Sequence, residues 1–509
     1  MSSEKNLAVS TTGKREQAHL ADEKLLQTLG YKQEFRREFT AFEVFGLSSL
    51  FPDTTQRNLP LSVGIAFSII GLLPSIASVL FFAVPNGGPV GMVWGWLITS
   101  LFILTIGLSM AELGSAAPTS GGNMAAVASV DWGCAVQIMA AATIGSKNQS
   151  FVPTSGQTYR AADLLTFDSL VYLAILVTHA LFKNDASFAL GNFTNLSGYS
   201  AGFAFFLSWL APAWTIGGFD SSVHISEEAT NAATAVPWAI FGAVGISGFL
   251  GTIVNIVLAF CAGTDMKSII DNPIGQPMAT IIFNSLGSRG TLALWSIIAS
   301  VQYMMGSSIL LAASRQTFAF SRDGALPFSR YMYRINSFTK TPVNTVWFVA
   351  FLSGVLGLLA FAGPSATNAL FSLAAVGNNI AYTIPIAVRH IFSKDTFTPG
   401  PFSLGRWSSL IAIIAITYMT FINIIFFFPT SPNPGVRDMN YTIVVIGGAL
   451  SGSLGWYYFP VYGGVHWFNG PMKTVQPASK GSVSSTGPSD EKKTTQGTIT
   501  ITELERKPY

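Results

Sequence analysis

One carboxylate stands beside two consecutive glycines in a long apolar run, FAFFLSWLAPAWTIGGFDSSVHISEEATNAATAVP (203–237). The Gly217-Gly218 pair breaks the helical pattern, Asp220 follows it, and Trp214 and Phe219 carry aromatic rings nearby. An acid at membrane depth is a functional hypothesis by default, and together with aromatic rings it could hold a cationic ammonium group. Two other readings stay open: Asp220 caps the restarted helix, and the rings serve packing alone.

A second apolar run, FSIIGLLPSIAS (67–78), carries a comparable interruption at Gly71 and Pro74. Proline removes a backbone hydrogen bond and glycine lowers helix stability, so this helix should kink or unwind. For this element alone, packing is an equally good explanation. The pair is more informative, because backbone in a membrane unwinds only where it lines a cavity, and paired interruptions are typical of two matching helices that share a central binding site.

The elements that must position these residues are membrane helices. Half of the 509 residues are hydrophobic and only 10% are charged, whereas a soluble domain carries roughly 25% charged residues. The chain is therefore predicted to be an all-α, polytopic helical membrane protein. Apolar stretches give about eleven candidate spans, near 61–84, 89–113, 124–145, 164–182, 202–223, 238–261, 291–318, 343–362, 368–388, 407–428 and 440–460.

Charge distribution orients the spans. The segment after the 291–318 span is basic, and Lys- and Arg-rich loops stay cytoplasmic; its basic residues are Arg315, Arg322, Arg330, Arg334 and Lys340. No cleavable signal precedes the first span, so that span should serve for insertion. We divide the chain into a cytoplasmic tail (1–58), a transmembrane transport domain (59–462) and a disordered cytoplasmic tail (463–509), whose Ser, Thr, Lys and Gly cannot bury enough surface to fold.

Further acidic groups lie in or beside the spans. Asp131, within VASVDWGCAV, should point into the protein interior. Glu112 ends the second span, so a structural or gating role is favoured over substrate contact. His224 and Glu227 follow the broken span, where a solvated helix start at the cytoplasmic face is the preferred interpretation. Glu112, Asp131 and Glu227 are the candidates for gating or coupling.

The sequence offers no constellation for an enzyme. It has no phosphate-binding loop with Lys and Ser or Thr, so ATP-driven pumping by this chain alone is disfavoured. Its five histidines lack metal-type spacing, and both cysteines, Cys134 and Cys261, sit in apolar spans, which argues against a disulfide framework or a metal site. We therefore expect no enzyme activity, no cofactor, no metal and no nucleic-acid partner.

Several runs resemble the fungal amino acid/choline transporter branch of the amino acid–polyamine–organocation (APC) superfamily, that is, GABA-permease-like proteins. The resemblance covers most of residues 67–465 and rests chiefly on WTIGGFDSSVHISEEATNAATAVPWAI (214–240), FSIIGLLPSIAS (67–78), MAELGSAAPTSGG (110–122) and SRDGALPFS (321–329). It implies about twelve spans in a LeuT-like inverted-repeat fold with discontinuous first and sixth helices. It also implies secondary transport of GABA, other amino acids, choline or related amines, usually driven by protons. Carried over by position, the substrate-binding residues are Gly71, Leu72, Pro74, Ser75, Trp214, Ile216, Gly217, Gly218, Phe219 and Asp220.

The chain also departs from this family pattern. A segment near 47–64 resembles an insertion, part of the third helix is missing after TSGG (119–122), and the fifth helix is missing after THALF (178–182), which leaves about eleven spans. The topology also indicates a missing span. With the N-terminal tail inside, four spans would return the chain to the cytoplasm at Lys183, and the following spans would place the basic loop (322–340) outside, against the positive-inside rule. The glycosylation patterns at Asn192 and Asn195 also belong outside. A mis-spliced transcript or gene model is favoured over a genuine shortened variant.

The predicted function is import of GABA or another amino acid with a co-transported proton, at the plasma membrane or, as second choice, the vacuolar membrane. Two alternatives stay open. One is a choline- or polyamine-type transporter in which Trp214, Phe219 and Asp220 receive an ammonium group. The other is a non-transporting paralogue or altered variant, because the missing helix belongs to the part that moves during alternating access.

Overall fold

A computed structural model describes most of the predicted transmembrane region: residues 70–116, 184–224, 226, 231–326, 328–336, 341–358, 361, 364–394, 397–429, 431–435, 439–461 and 463–468, with the backbone alone for 364–369. Asp131, Glu227, the insertion near 47–64 and the predicted spans 124–145 and 164–182 lie outside the described residues, as do most of both tails.

The first described segment consists of two helices joined by a tight connection. It comprises α1 (Leu72–Ala83), strand β1 (Asn86–Gly87) and the helix α2 (Gly88–Ala116). After the gap come α3 (Ala186–Gly191), strand β2 (Thr194–Asn195), and the broken helix α4 (Ala201–Ser208), α5 (Leu210–Thr215) and α6 (Ser221–His224).

The rest of the described chain is helical. It contains α7 (Ala232–Cys261), α8 (Met266–Ile270), α9 (Pro277–Arg322), α10 (Ser329–Met332), α11 (Val343–Gly357), α12 (Pro364–Ile391), a 3₁₀ turn (Gly405–Trp407), α13 (Ser408–Phe426), α14 (Thr442–Tyr457) and α15 (Gly464–Trp467). Most of these helices lie within the predicted spans of the described region, and α7 and α9 extend beyond their predicted starts. The predicted span 61–84 differs, because α1 begins only at Leu72 and residues 61–69 lie outside the described ones.

Five of the described helices are long and apolar enough to cross a bilayer by length and composition. At 1.5 Å per residue, the 29 residues of Gly88–Ala116 reach about 40 Å, more than the roughly 30 Å hydrocarbon core. α9 is longer still because it joins two helices across Gly287, whose φ of 68° is not helical. The predicted span 291–318 is therefore only the second part of α9.

One end of the helical bundle is closed by the chain around β1 and β2. Asn86 pairs with Asn195 in a two-stranded antiparallel sheet, and the Val90 N–H donates to Asn192 O at 3.2 Å. The Tyr199 hydroxyl donates to Pro429 O at 3.1 Å; burial raises the pKa of this phenol above its ordinary value, so the hydroxyl stays protonated. These contacts bring the segments 84–91 and 184–200, residues 427–429 and Ser431 to the same end.

The opposite end contains the end of α2 and the start of α7, because the Ser115 hydroxyl donates to Ala233 O at 2.7 Å. α7 then runs to the first end, where Asn184 donates to Ala259 O at 2.8 Å. α9 returns from there, so Arg322 and the basic segment lie at the same end as Ser115. By the positive-inside rule that end is cytoplasmic, and the sequons at Asn192 and Asn195 lie on the outer face.

The basic segment and the glycosylation patterns therefore lie at opposite ends of the bundle. Both orientation signals are satisfied in the described residues, although the predicted number of spans had made them incompatible. α2 ends at the cytoplasmic end with Ala116, whereas the chain resumes at the outer end with Asn184. Two spans in between would return the chain to the cytoplasmic side instead. The predicted topological conflict thus falls within residues 117–183, outside the described residues.

Candidate functional site

The first interruption lies at Gly71, where the backbone enters the left-handed region with φ 46° and ψ 61°. α1 begins immediately after it, and the Ser75 N–H donates to Gly71 O at 2.9 Å. The Ser75 hydroxyl donates to Ile70 O at 2.7 Å, so it satisfies a carbonyl that the break separates from the helix. We expected the break to extend from Gly71 to Ser75; it is confirmed at Gly71 alone, because the helix already begins at Leu72 and Ser75 stabilises its first turn.

A methionine from α9 packs directly against this break. A Cβ on Gly71 would stand 2.6 Å from Met305 Sδ, so the close approach requires glycine. The Ser75 Oγ lies 3.4 Å from the same sulfur. Met305 is buried and therefore forms one wall of the first interruption.

The second interruption separates α5 from α6. The helix ends at Thr215, Ile216 has φ −87° and ψ 32°, and Gly218 has φ 74°. Gly217 and Gly218 are partly exposed, whereas Ile216 and Phe219 on either side are buried. The accessible part of this break is therefore the glycine backbone, as expected where a membrane helix unwinds to line a cavity.

Two hydroxyl groups flank the second interruption without satisfied hydrogen bonds. Thr215 Oγ1 and Ser221 Oγ are buried, and neither has a hydrogen-bond partner within the part of the chain that the structure describes. Buried polar groups are normally paired. Their position at the two helix ends makes them available to a polar ligand at the break.

One face of α12 follows the second interruption along its length. The Phe371 ring meets Trp214 edge-on with centroids 5.0 Å apart, and Asn378 Nδ2 would be 3.4 Å from a Cβ on Gly217. Tyr382, one turn further on, lies against the Phe219 ring at 5.2 Å. Phe371 also contacts Phe82 of α1 at 6.2 Å, so it joins the two interrupted helices.

Asp220 is held by two side chains. The Tyr382 hydroxyl donates to Asp220 Oδ1 at 2.6 Å, and His224 Nε2 lies 3.0 Å from Asp220 Oδ2. Each of the three residues is at most 5% exposed. The solvated position expected for His224 is therefore wrong: it is buried one helical turn from Asp220, where its imidazole meets the carboxylate. Trp214 and Phe219 lie against rings of α12.

Glu112 lies away from both interruptions, at the cytoplasmic end of α2. Its Oε1 accepts from Ser403 Oγ at 3.2 Å and from the Leu404 N–H at 3.3 Å, and its Oε2 accepts from the Ser408 hydroxyl. It thus binds the connection between α12 and α13. These contacts are structural, and a role of Glu112 in gating or coupling stays a prediction.

Sequence reasoning found the two interruptions but missed the residues that pack on them. Met305 gave no local signal, because it is an apolar residue in an apolar helix. A signal did exist on α12, where Asn378 and Tyr382 stand four residues apart in an apolar span and so share one face. Within the described chain, no group of three or more His, Cys, Asp or Glu side chains could hold a metal ion.

The fold and the paired interruptions define a polytopic helical membrane protein of the transporter class. A family model described as amino acid permease matches residues 164–449, and the chain belongs to this family, within the APC superfamily. Permeases carry their substrates across a membrane, and the family assigns the chain to amino acid transport.

Three fungal relatives align with nearly the whole chain. The GABA-specific permease of Saccharomyces cerevisiae is 36% identical over 89% of this chain and 86% of the relative. An uncharacterized amino-acid permease of Schizosaccharomyces pombe is 33% identical over 89% of each chain. Amino-acid permease 2 of Neurospora crassa is 30% identical over 88% of this chain and 89% of the relative.

The alignment with the Saccharomyces permease spans 515 positions, although only 89% of this chain's 509 residues take part. An alignment with more positions than the chain has residues must place gaps opposite this chain. Such gaps are what missing helical segments would produce.

Proposed function

We propose that this chain is a secondary active transporter that imports GABA or another amino acid by alternating access, coupled to protons. The observation that carries the proposal is the pair of interrupted helices, α1 and α5–α6, packed in the bundle interior with the Gly217-Gly218 backbone accessible. A half-helix end in a low-dielectric interior presents unpaired backbone groups to a ligand.

The start of α1 suits a carboxylate. The first residues of a helix have N–H groups without partners inside the helix, and the helix dipole adds positive potential there. At α1 the N–H groups of Leu72 and Leu73 have no backbone partner among the described residues, Pro74 has no N–H, and Ser75 donates to Gly71 O. A substrate carboxylate at this end supports an amino acid substrate, GABA included.

The second interruption suits the other end of such a substrate. The buried hydroxyls of Thr215 and Ser221 can accept hydrogen bonds from an ammonium group. The substrate-binding residues of this proposal are the ten named from the sequence, with Met305 and Asn378 added as walls.

A choline- or polyamine-type transporter is less well supported. That reading needs the Asp220 carboxylate as receptor for the cation, but Tyr382 and His224 engage its two oxygens. Choline also lacks a carboxylate, so it would leave the N–H groups at the start of α1 without a partner. We therefore place the amino acid proposal first.

The coupling ion and the membrane are proposals of the same kind. Protons and the plasma membrane are our first choices, with the vacuolar membrane second. Of the candidate coupling acids, Glu112 lies in the described part and already accepts three hydrogen bonds, whereas Asp131 and Glu227 lie outside it.

Uptake into cells that lack their own GABA permeases tests the function. We expect saturable uptake of labelled GABA or another amino acid, abolished by a protonophore and little affected by excess choline. Choline uptake without GABA uptake would replace the proposal with the amine transporter. No accumulation of any amino acid or amine by a correctly delivered protein would show a non-transporting chain.

The native transcript should be sequenced first across residues 46–66, 119–124 and 180–190. If the transcript differs from this chain at those junctions, the uptake panel should be run on the full-length protein as well. If the full-length protein transports amino acids and this chain does not, the missing segments account for the loss of activity, and the proposed function holds for the full-length protein.

A further inference from the structure

The carboxylate that follows the second interruption is fixed by α12. Asp220 Oδ1 accepts the Tyr382 hydroxyl hydrogen at 2.6 Å although the two residues are 162 positions apart in sequence. Asp220 Oδ2 meets His224 Nε2 at 3.0 Å, one turn along α6. A buried carboxylate requires such partners, because leaving its oxygens unpaired away from water is strongly unfavourable.

The segment that carries Asp220 has little stability of its own. α6 contains only the four residues Ser221–His224, and a single helical turn is unfavourable without tertiary contacts. α6 packs against α7 and α9, and Asp220 adds a hydrogen bond that joins this segment to α12. His224 belongs to the same short segment as its partner Asp220, so their contact does not join α6 to another element. The hydrogen bond from the Tyr382 hydroxyl does, because it joins Asp220 to α12.

We propose that Tyr382 is a positioning residue of the transport site: by binding Asp220, its hydroxyl fixes α6 against α12 and keeps the Gly217-Gly218 backbone open to substrate. The role in transport rests on the proposed function. Asn378 supports it, because this residue precedes Tyr382 by one turn on the same face and lies against Gly217.

Removal of the hydroxyl should lower the fraction of molecules with a competent site. A hydrogen bond to a buried charged group contributes enough for a shift of about tenfold or more in such an equilibrium. When only a fraction of molecules can bind, the apparent dissociation constant rises in proportion, and saturating substrate restores the lost population. Tyr382→Phe should therefore raise KM by about twofold to tenfold, depending on how large the competent fraction is, and leave the maximal rate per surface molecule within about twofold.

Tyr418→Phe is the matched control. Tyr418 is also buried in a membrane helix, but its hydroxyl has no hydrogen-bond partner among the described residues. Both variants lose the same atom, so loss of a tyrosine hydroxyl as such affects them equally. We expect Tyr418→Phe to keep the wild-type KM. An equal KM for the two variants would overturn the proposal.

A double-mutant comparison distinguishes loss of the Tyr382–Asp220 hydrogen bond from a general loss of structure. If Tyr382 acts through Asp220, Tyr382→Phe should have almost no further effect in an Asp220→Ala background, because residues that share one interaction are not additive. Full additivity of the two effects on KM would show that Tyr382 acts through something else.

A labelling experiment tests the same hydrogen bond without transport. Ser221→Cys is introduced into a chain with Cys134→Ser and Cys261→Ser, and a hydrophilic maleimide is applied to permeabilised membranes. Ser221 is only 3% exposed, so labelling should be slow, and Tyr382→Phe should accelerate it while Tyr418→Phe should not. Unchanged labelling in Tyr382→Phe would overturn the positioning of α6. Accelerated labelling in a protein that transports nothing would sustain that positioning and refute the proposed function instead.

Discussion

At the residue scale, the first interruption depends on the absence of a side chain at position 71. Gly71 has φ 46°, and a Cβ there would lie 2.6 Å from Met305 Sδ. Met305 Cβ would also be only 3.3 Å away, so Met305 would have to move to admit a side chain, and the positive φ would remain strained. The position combines backbone strain with steric exclusion.

Gly71→Ala should destabilise the protein and reduce uptake. The left-handed conformation costs an alanine about 1–2 kcal/mol, and overpacking a buried site costs roughly 1–3 kcal/mol more. Thermal unfolding in detergent and uptake per surface molecule measure the two effects. Met305→Ala in the same chain should restore part of the stability, since it removes the contact but not the strained φ. Wild-type stability and uptake in Gly71→Ala alone would contradict this account.

At the element scale, the sequence predicted where helices break but not what packs on the breaks. Glycine, proline and apolar length are local signals, so the interruptions at Gly71 and Gly217-Gly218 could be located without a structure. Tyr382 reaches Asp220 from a helix 162 residues away, and no local pattern states such a pairing. The burial of His224 was mispredicted for the same reason, because its partner's position was unknown.

The connection between α12 and α13 provides a prediction at this scale. Glu112 and Ser115 hold it to α2, with the Phe402 N–H donating to Ser115 Oγ at 3.0 Å. Glu112→Ala should lower the unfolding temperature and reduce uptake, because it leaves the donors of Ser403, Leu404 and Ser408 unsatisfied, each at a cost of about 1–3 kcal/mol where buried.

Glu112→Gln is its control, since it keeps one acceptor oxygen and similar volume. We expect it to retain most of the stability that Glu112→Ala loses. Equal unfolding temperatures for wild type and Glu112→Ala would show that the connection is held by other contacts.

At the scale of the whole molecule, the described residues have one consistent orientation. The outer end contains the 184–200 segment and the cytoplasmic end the basic segment after α9. The sequence predicted both assignments separately, from sequons and from arginines, but the predicted number of spans between residues 117 and 183 could not satisfy both. The conflict between the two orientation signals therefore came from the predicted number of spans between residues 117 and 183, not from the described helices.

Cysteine accessibility in intact cells tests this orientation in a chain that lacks Cys134 and Cys261. Ser200→Cys, at an exposed outer position, should react with an impermeant maleimide. Tyr331→Cys, at a position 62% exposed, should react only after permeabilisation. If Tyr331→Cys reacts in intact cells and Ser200→Cys reacts only after permeabilisation, this part of the chain is inserted in the inverted orientation.

The most direct test of the central claim is uptake of labelled amino acid by Gly217→Leu, compared with Gly245→Leu at equal surface level. A side chain on Gly217 would start 3.1 Å from Trp214 O and 3.4 Å from Asn378 Nδ2, so leucine should fill the accessible break and abolish uptake. Gly245, within α7, has open space within 4 Å of its Cβ position, and its leucine variant should transport normally. Normal uptake by Gly217→Leu would contradict the assignment of the substrate site to the interrupted helices.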